Sequence, residues 1–121
     1  MTDLSPVTKT ALGSAIMRAA HRLQDGEPKI FGDTLAQRLL GLPDEEIIRR
    51  RSFLPMSTSI WILRGRYAED RLADAVAHGI TQYLILGAGL DTFAFRARGP
   101  VSSLRVFEVD TPELQTWKRN Q

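Results

Sequence analysis

Gly87, Ala88 and Gly89 follow the apolar run Tyr83-Leu84-Ile85-Leu86, and Asp110 closes a second run, Leu104 to Val109. Glycines at the end of a strand let the backbone turn sharply and approach a ligand closely. The helix that follows such a turn offers unpaired N–H groups. An acid at the end of the next strand, about twenty residues on, can accept hydrogen bonds from both hydroxyls of a ribose. Strand, glycines, helix, strand and terminal acid in this order describe a cradle for a nucleoside-bearing ligand. The plainer alternative is that the glycines only make a tight turn and that Asp110 caps the helix opening at Pro112.

A dinucleotide site would want a third glycine at position 92, where the chain has Thr92, and its first strand normally opens the domain. Here some eighty residues of helical pattern come first, so NAD is disfavoured. Arg64 and Arg66 read by themselves as a solvated helix face. Arg18 divides evenly between the mouth of a site and a solvent-exposed place beside Arg22.

Other chemistries find little support. The chain has no cysteine, which removes disulfides, thiolate metal sites and a Cys nucleophile. His21 and His78 each stand alone and read as surface or cap residues rather than metal ligands. Sixteen Lys and Arg against fourteen Asp and Glu give a formal charge of +2, without the basic excess of a nucleic-acid protein. Arg49-Arg50-Arg51 follow Asp44-Glu45-Glu46, so acid opens and base closes one short helix, as the helix dipole favours. Neither a signal peptide nor a run long enough to span a bilayer is evident, so no membrane association and a cytoplasmic location are expected. Trp61 and Trp117 read as core or interface residues.

With 121 residues, 43% hydrophobic and 25% charged, the chain has the composition of one globular domain. Val7, Leu12, Ile16, Ala19, Ala20 and Leu23 recur at helical spacing between Ser5-Pro6 and Asp25-Gly26. Asp33 can cap a short helix that Gly41 ends, and Pro43-Asp44 open another running to about Phe53. Ser57 or Thr58 can cap a longer helix with Ile60, Leu63, Tyr67, Ala68, Leu72, Ala75 and Val76 as apolar positions, stopping at His78-Gly79. From there the period changes. The two apolar runs read as strands buried on both faces of a parallel sheet, joined by a short helix, and Thr111-Pro112 start a last helix. The fold class expected is α/β: a helical section, residues 1–79, followed in 80–121 by the first βαβ unit of a Rossmann-like sheet.

The stretches YLILGAGLDTFAFR and RVFEVDTPELQTWKR resemble the leucine carboxyl methyltransferase family, in which the glycines continue as Gly-Leu-Asp-Thr and the second strand ends Glu-Val-Asp-x-Pro. Those places are Leu90, Asp91, Thr92, Phe95 and Arg96, then Glu108, Val109, Asp110, Pro112 and Lys118. Upstream, Arg64 to Asp70 is similar to the family's Arg-Thr-Arg-x-x-Asp-Asp segment. Arg18-Ala19 and Phe31 to Ala36 are similar to its Arg-Ala and Phe-Asp-Asp-Pro-Leu-Ala elements. The sequence departs at Gly32-Asp33-Thr34, at Gly65 in place of threonine, and at Phe93.

The resemblance implies S-adenosyl-L-methionine as cofactor and O-methylation of a small-molecule or peptide-carboxyl acceptor. It implies Arg66 as partner of the methionine carboxylate, with Arg64 as the fallback. Gly87 and Gly89 would lie against the methionine and ribose portions, and Asp110 would hold the ribose diol. Asp91 is expected to cap the next helix or organise the site. Catalytic residues are not assigned. Because family members are much longer, the chain is expected to be an N-terminal portion or shortened form. The alternative is a non-catalytic module whose exposed sheet edge pairs with another copy or a complementing chain.

Overall fold

The computed structural model describes residues 3–53 and 58–121. Among these residues, six helices and two strands run in the order α1 (Lys9–Gln24), α2 (Ala36–Leu40), α3 (Asp44–Ser52), α4 (Thr58–Ala77), β1 (Gln82–Leu86), α5 (Phe93–Arg96), β2 (Arg105–Val109) and α6 (Pro112–Arg119), with a 3₁₀ turn at Gly99–Ser103 before β2. α1 starts at the Thr8 cap, whose hydroxyl accepts from the Ala11 N–H, three residues after the Ser5-Pro6 start expected from the sequence. Asp33 does cap the α2 turn: its Oδ1 accepts from the N–H groups of Leu35 and Ala36 at 3.0 Å each. Of the two expected caps for α4, Ser57 lies outside the described residues.

α1 is the centre of the larger core. Its Ala15, Ile16, Ala19 and Ala20 pack with Leu40 of α2, Ile47 of α3, Leu90 after the glycines, and Leu114 and Trp117 of α6. One apolar cluster therefore joins elements on both sides of Gly79. A smaller cluster, Leu72, Phe93 and Leu104 with Val76, Tyr83 and Val106, lies between α4 and the sheet.

β1 and β2 are parallel, with Leu84 opposite Phe107 and Leu86 opposite Val109. The expectation that both strands are buried on both faces is overturned. Tyr83, Ile85, Val106 and Glu108 are partly covered, whereas Leu84, Leu86, Phe107 and Val109 are 56%, 73%, 44% and 49% exposed. A parallel strand reads as continuously apolar because both its faces are suited to burial, but the described helices cover only one of them. The first half of the apolar stripe expected on α4 is corrected similarly, whereas Leu72, Ala75 and Val76 of its second half are buried or partly buried. Ile60, Leu63 and Tyr67 are exposed, and Ile62 and Leu72 are the residues α4 buries. His21 is likewise buried rather than on the surface. Its Nδ1 pairs with Asp25 at 2.6 Å, and Arg51 reaches the same carboxylate.

Candidate functional site: a cleft at the glycine turn

The register of the two strands delivers the site. Ala88 donates its N–H to Val109 O at 3.0 Å, continuing the pairing one residue past β1, so the glycine turn and Asp110 emerge side by side. Asp110 then accepts twice: Oδ2 from Gly89 N–H and Oδ1 from Thr111 N–H, both at 2.7 Å. The cap of α6 is Thr111, whose hydroxyl accepts from Leu114 N–H.

Gly87 and Gly89 have φ of +62° and +51°. A side chain at Gly89 would also meet Ala11 Cβ of α1 at 3.2 Å, so this turn requires a residue without Cβ for conformation and for space. Gly65 on α4 has a related reason: a Cβ there would come within 3.2 Å of the Phe31 ring. The sequence left the exchange of threonine for glycine at this place unexplained, and the packing of Phe31 accounts for it.

Around the turn lies an open cleft of about 660 Å³, lined among others by Arg18, Trp61, Arg64, Glu69, Tyr83, Gly87, Gly89, Asp91 and Asp110. That volume suits a cofactor-sized ligand. Besides Asp110, three of its charged side chains are already engaged with the protein. Arg18 donates to Asp33 Oδ2, Ser14 Oγ and Leu90 O, each at 2.7 Å. Glu69 receives Arg96, and Asp91 Oδ1 accepts from Phe93 N–H at 2.8 Å at the start of α5, whose N-cap residue is Thr92. Arg64 differs. Its guanidinium sits over the Trp61 ring at 5.3 Å, and among the described residues no carboxylate pairs with it.

The six residues singled out from the sequence are thus divided. Arg64, Gly87, Gly89, Asp91 and Asp110 line the one cleft. Arg66 does not: it borders a smaller hollow beside Ile30, Asp70 and Arg96, and its Nε donates to Asp70 Oδ1 and Oδ2 at 2.9 and 3.0 Å.

Burial and neighbouring charges shift two groups here, Tyr83 in the lining and Asp33 behind it. Burial pushes the Tyr83 hydroxyl's pKa up, and the charges of Asp91 and Glu69 add to this, so the phenol stays a neutral donor. Burial also pushes the Asp33 carboxyl up, but Arg18, the Thr92 hydroxyl and Arg96 outweigh it and hold the group below its usual value. The sequence reading did not single out Asp33 beyond a capping role, nor the pair formed by buried Lys118 and Glu108 at 2.7 Å. Both residues fall within the motif stretches, but their pairing joins β2 to α6 across ten residues and follows no strand or helix period.

The family profile of leucine carboxyl methyltransferase matches residues 11–121. The chain belongs to that family. It is 40% identical over 118 residues to a Streptomyces coelicolor protein, across 89% of this chain and 40% of that one. It is 35% identical over 138 residues to a Bacillus subtilis protein, across 93% of this chain and 45% of the other. Both are provisionally named S-adenosyl-L-methionine-dependent methyltransferases. The chain spans less than half the length of either relative.

Proposed function

We propose that the cleft binds S-adenosyl-L-methionine and serves the transfer of its methyl group to an oxygen of a small-molecule or peptide-carboxyl acceptor. The observation that carries this is the unpaired Arg64 guanidinium in the same cleft as the glycine turn and Asp110. Membership in the family and the provisional names of the relatives support the choice of cofactor.

The donor set fits. Arg64 offers a fork that matches a carboxylate such as that of the cofactor's methionine part. It takes this role in preference to Arg66, whose fork is engaged by Asp70 outside the cleft. Asp110, whose Oδ2 accepts from Gly89 N–H, is an acceptor at the turn and would take the ribose hydroxyls. Gly87, where a Cβ would meet nothing, leaves open space at the turn for the ligand's approach. Asp91 lines the cleft while its Oδ1 accepts from Phe93 N–H at the start of α5.

The cofactor supplies a sulfonium-activated methyl group for in-line displacement. The chain's part is to bind, orient and exclude water, which for such a displacement is most of the catalysis. A carboxylate acceptor is already ionised near neutral pH and needs no base. For a hydroxyl acceptor, Glu69 and Asp91 are the acids lining the cleft besides Asp110. Residues 80–121 act in this reading as the start of the cofactor-binding unit, and the helices of 1–79 close one side of it.

Calorimetric titration with S-adenosylhomocysteine tests the assignment. Binding should be lost with Arg64→Ala and with Asp110→Ala and kept with Arg66→Ala. The reverse order for the two arginines would transfer the carboxylate role to Arg66.

The open sheet face favours a second reading, in which this chain is one part of an assembly and the missing layer comes from further polypeptide. Binding of S-adenosylhomocysteine by a well-behaved monomer would remove that reading.

A further inference from the structure

Asp33 lines no part of the cleft, yet two of the site's supports converge on it. It has no exposed surface. Its Oδ2 receives Arg18 Nε at 2.7 Å, and Arg96 Nε lies 3.5 Å from Oδ1. Each arginine then continues to the loop that follows the glycines. Arg18 Nη2 donates to the Leu90 carbonyl at 2.7 Å, and Arg96 Nε donates to the Thr92 hydroxyl at 2.7 Å. Leu90 and Thr92 flank Asp91, which lines the cleft.

We propose that Asp33 is the positioning residue of the cofactor loop, holding Arg18 and Arg96 so that together they clamp Leu90 and Thr92 and present Asp91 and the glycine turn to the ligand. This rests on the cofactor reading for its purpose but not for its geometry. The carboxylate is itself anchored, because Oδ1 accepts from Leu35 and Ala36 N–H at the start of α2. The clamp is therefore referred to the helical core and not to a mobile side chain. Arg96 is braced on its far side by Glu69 and lies over the Phe31 ring at 5.0 Å. Neither guanidinium can relax without giving up a partner in the loop or in the helices. A carboxylate is needed because a neutral side chain would leave two part-buried guanidiniums facing each other across it, with Glu69 compensating only Arg96.

Three variants separate positioning from general stability. Arg18→Lys keeps a charge for Asp33 but cannot fork to Leu90 and Ser14. Thr92→Val removes the second grip. Asp33→Asn removes the hub, and Asp33→Glu is its conservative rescue. Amide hydrogen exchange is measured residue by residue, with the titration by S-adenosylhomocysteine beside it. In Arg18→Lys and Thr92→Val, the amides of Gly89, Asp91 and Phe93 should exchange about tenfold faster while those of α3 are unchanged. Affinity should fall about tenfold in the same variants. Combining Arg18→Lys with Asp33→Asn should add nothing to the larger single effect, and Asp33→Glu should restore part of the protection. Loop amides that exchange no faster than the rest of the chain, or effects that simply add, would overturn the proposal. If the unaltered chain does not take up S-adenosylhomocysteine, the cofactor reading fails, and the exchange pattern alone decides whether Asp33 positions the loop.

Discussion

At the scale of single residues, a buried carboxylate between two guanidiniums couples folding to protons. Asp33 has its folded pKa depressed, so the sign is fixed: its contribution is present above the unfolded value, about 3.9, and is lost as pH falls through the folded one. Asp25, held low by His21 and Arg51 against the opposing effect of its burial, works in the same direction. Urea denaturation of the parent and of Asp33→Asn at a series of pH values should therefore show a stability gap that is widest near neutrality. It should narrow as pH drops from about 5 toward about 2. A gap constant with pH would mean that the Asp33 charge is not what matters. The same scale shows why the sequence, from which Arg66 is expected with Arg64 as the fallback, could not fix which of the two arginines lines the cleft. Residues two apart on a helix point about 200° from one another, so only one can face a given cleft. Which one depends on how α4 packs, and that is set by distant contacts such as Phe31 against Gly65.

At the scale of elements, local signals were well written in the chain. Thr111 before Pro112, Gly41 after Leu40 and His78-Gly79 after Ala77 mark helix ends where the structure has them. His78 Nδ1 lies 2.7 Å from the Asp74 carbonyl in the last turn. Thr111→Ala should cost about 1 kcal/mol in thermal or urea denaturation, the usual worth of such a cap. The glycine turn is the element on which the site depends most. Gly89→Ala places a Cβ at positive φ, which costs roughly 1–2 kcal/mol, and pushes it against Ala11. It should lower the melting temperature and weaken S-adenosylhomocysteine binding. Adding Ala11→Gly opens the space but leaves the φ, so the double variant should recover only part of the stability. Full recovery would mean that contact with α1, and not backbone conformation, sets the requirement. What local signals did not carry was the layer count. Apolar runs at β1 and β2 state that two faces can be buried, and nothing in a run says what buries them.

At the scale of the whole molecule, that unmet condition governs behaviour in solution. Leu84, Leu86, Phe107 and Val109 form one apolar surface on the open side of the sheet, with Arg105 lying over the Phe107 ring at its end. Ile60, Leu63 and Tyr67 form a second on α4. Among the described residues β1 and β2 pair only with each other, so each also carries a free edge. Apolar faces and free edges together favour association. The relatives, more than twice as long, have ample additional chain with which to cover such surfaces. The chain by itself should therefore scatter light as species heavier than its 13.6 kDa and should bind a hydrophobic dye. Leu86→Lys combined with Val109→Thr alters a cross-strand pair on the open face and touches neither core cluster. It should shift the population toward monomer while leaving urea stability within about 0.5 kcal/mol. The matching change on α4, Leu63→Lys, should have a smaller effect, because a helix face offers no unpaired backbone to an incoming strand. Equal relief from the two would assign association to apolar area alone, and a parent chain that stays monomeric at high concentration would show that the open sheet is tolerated as it stands.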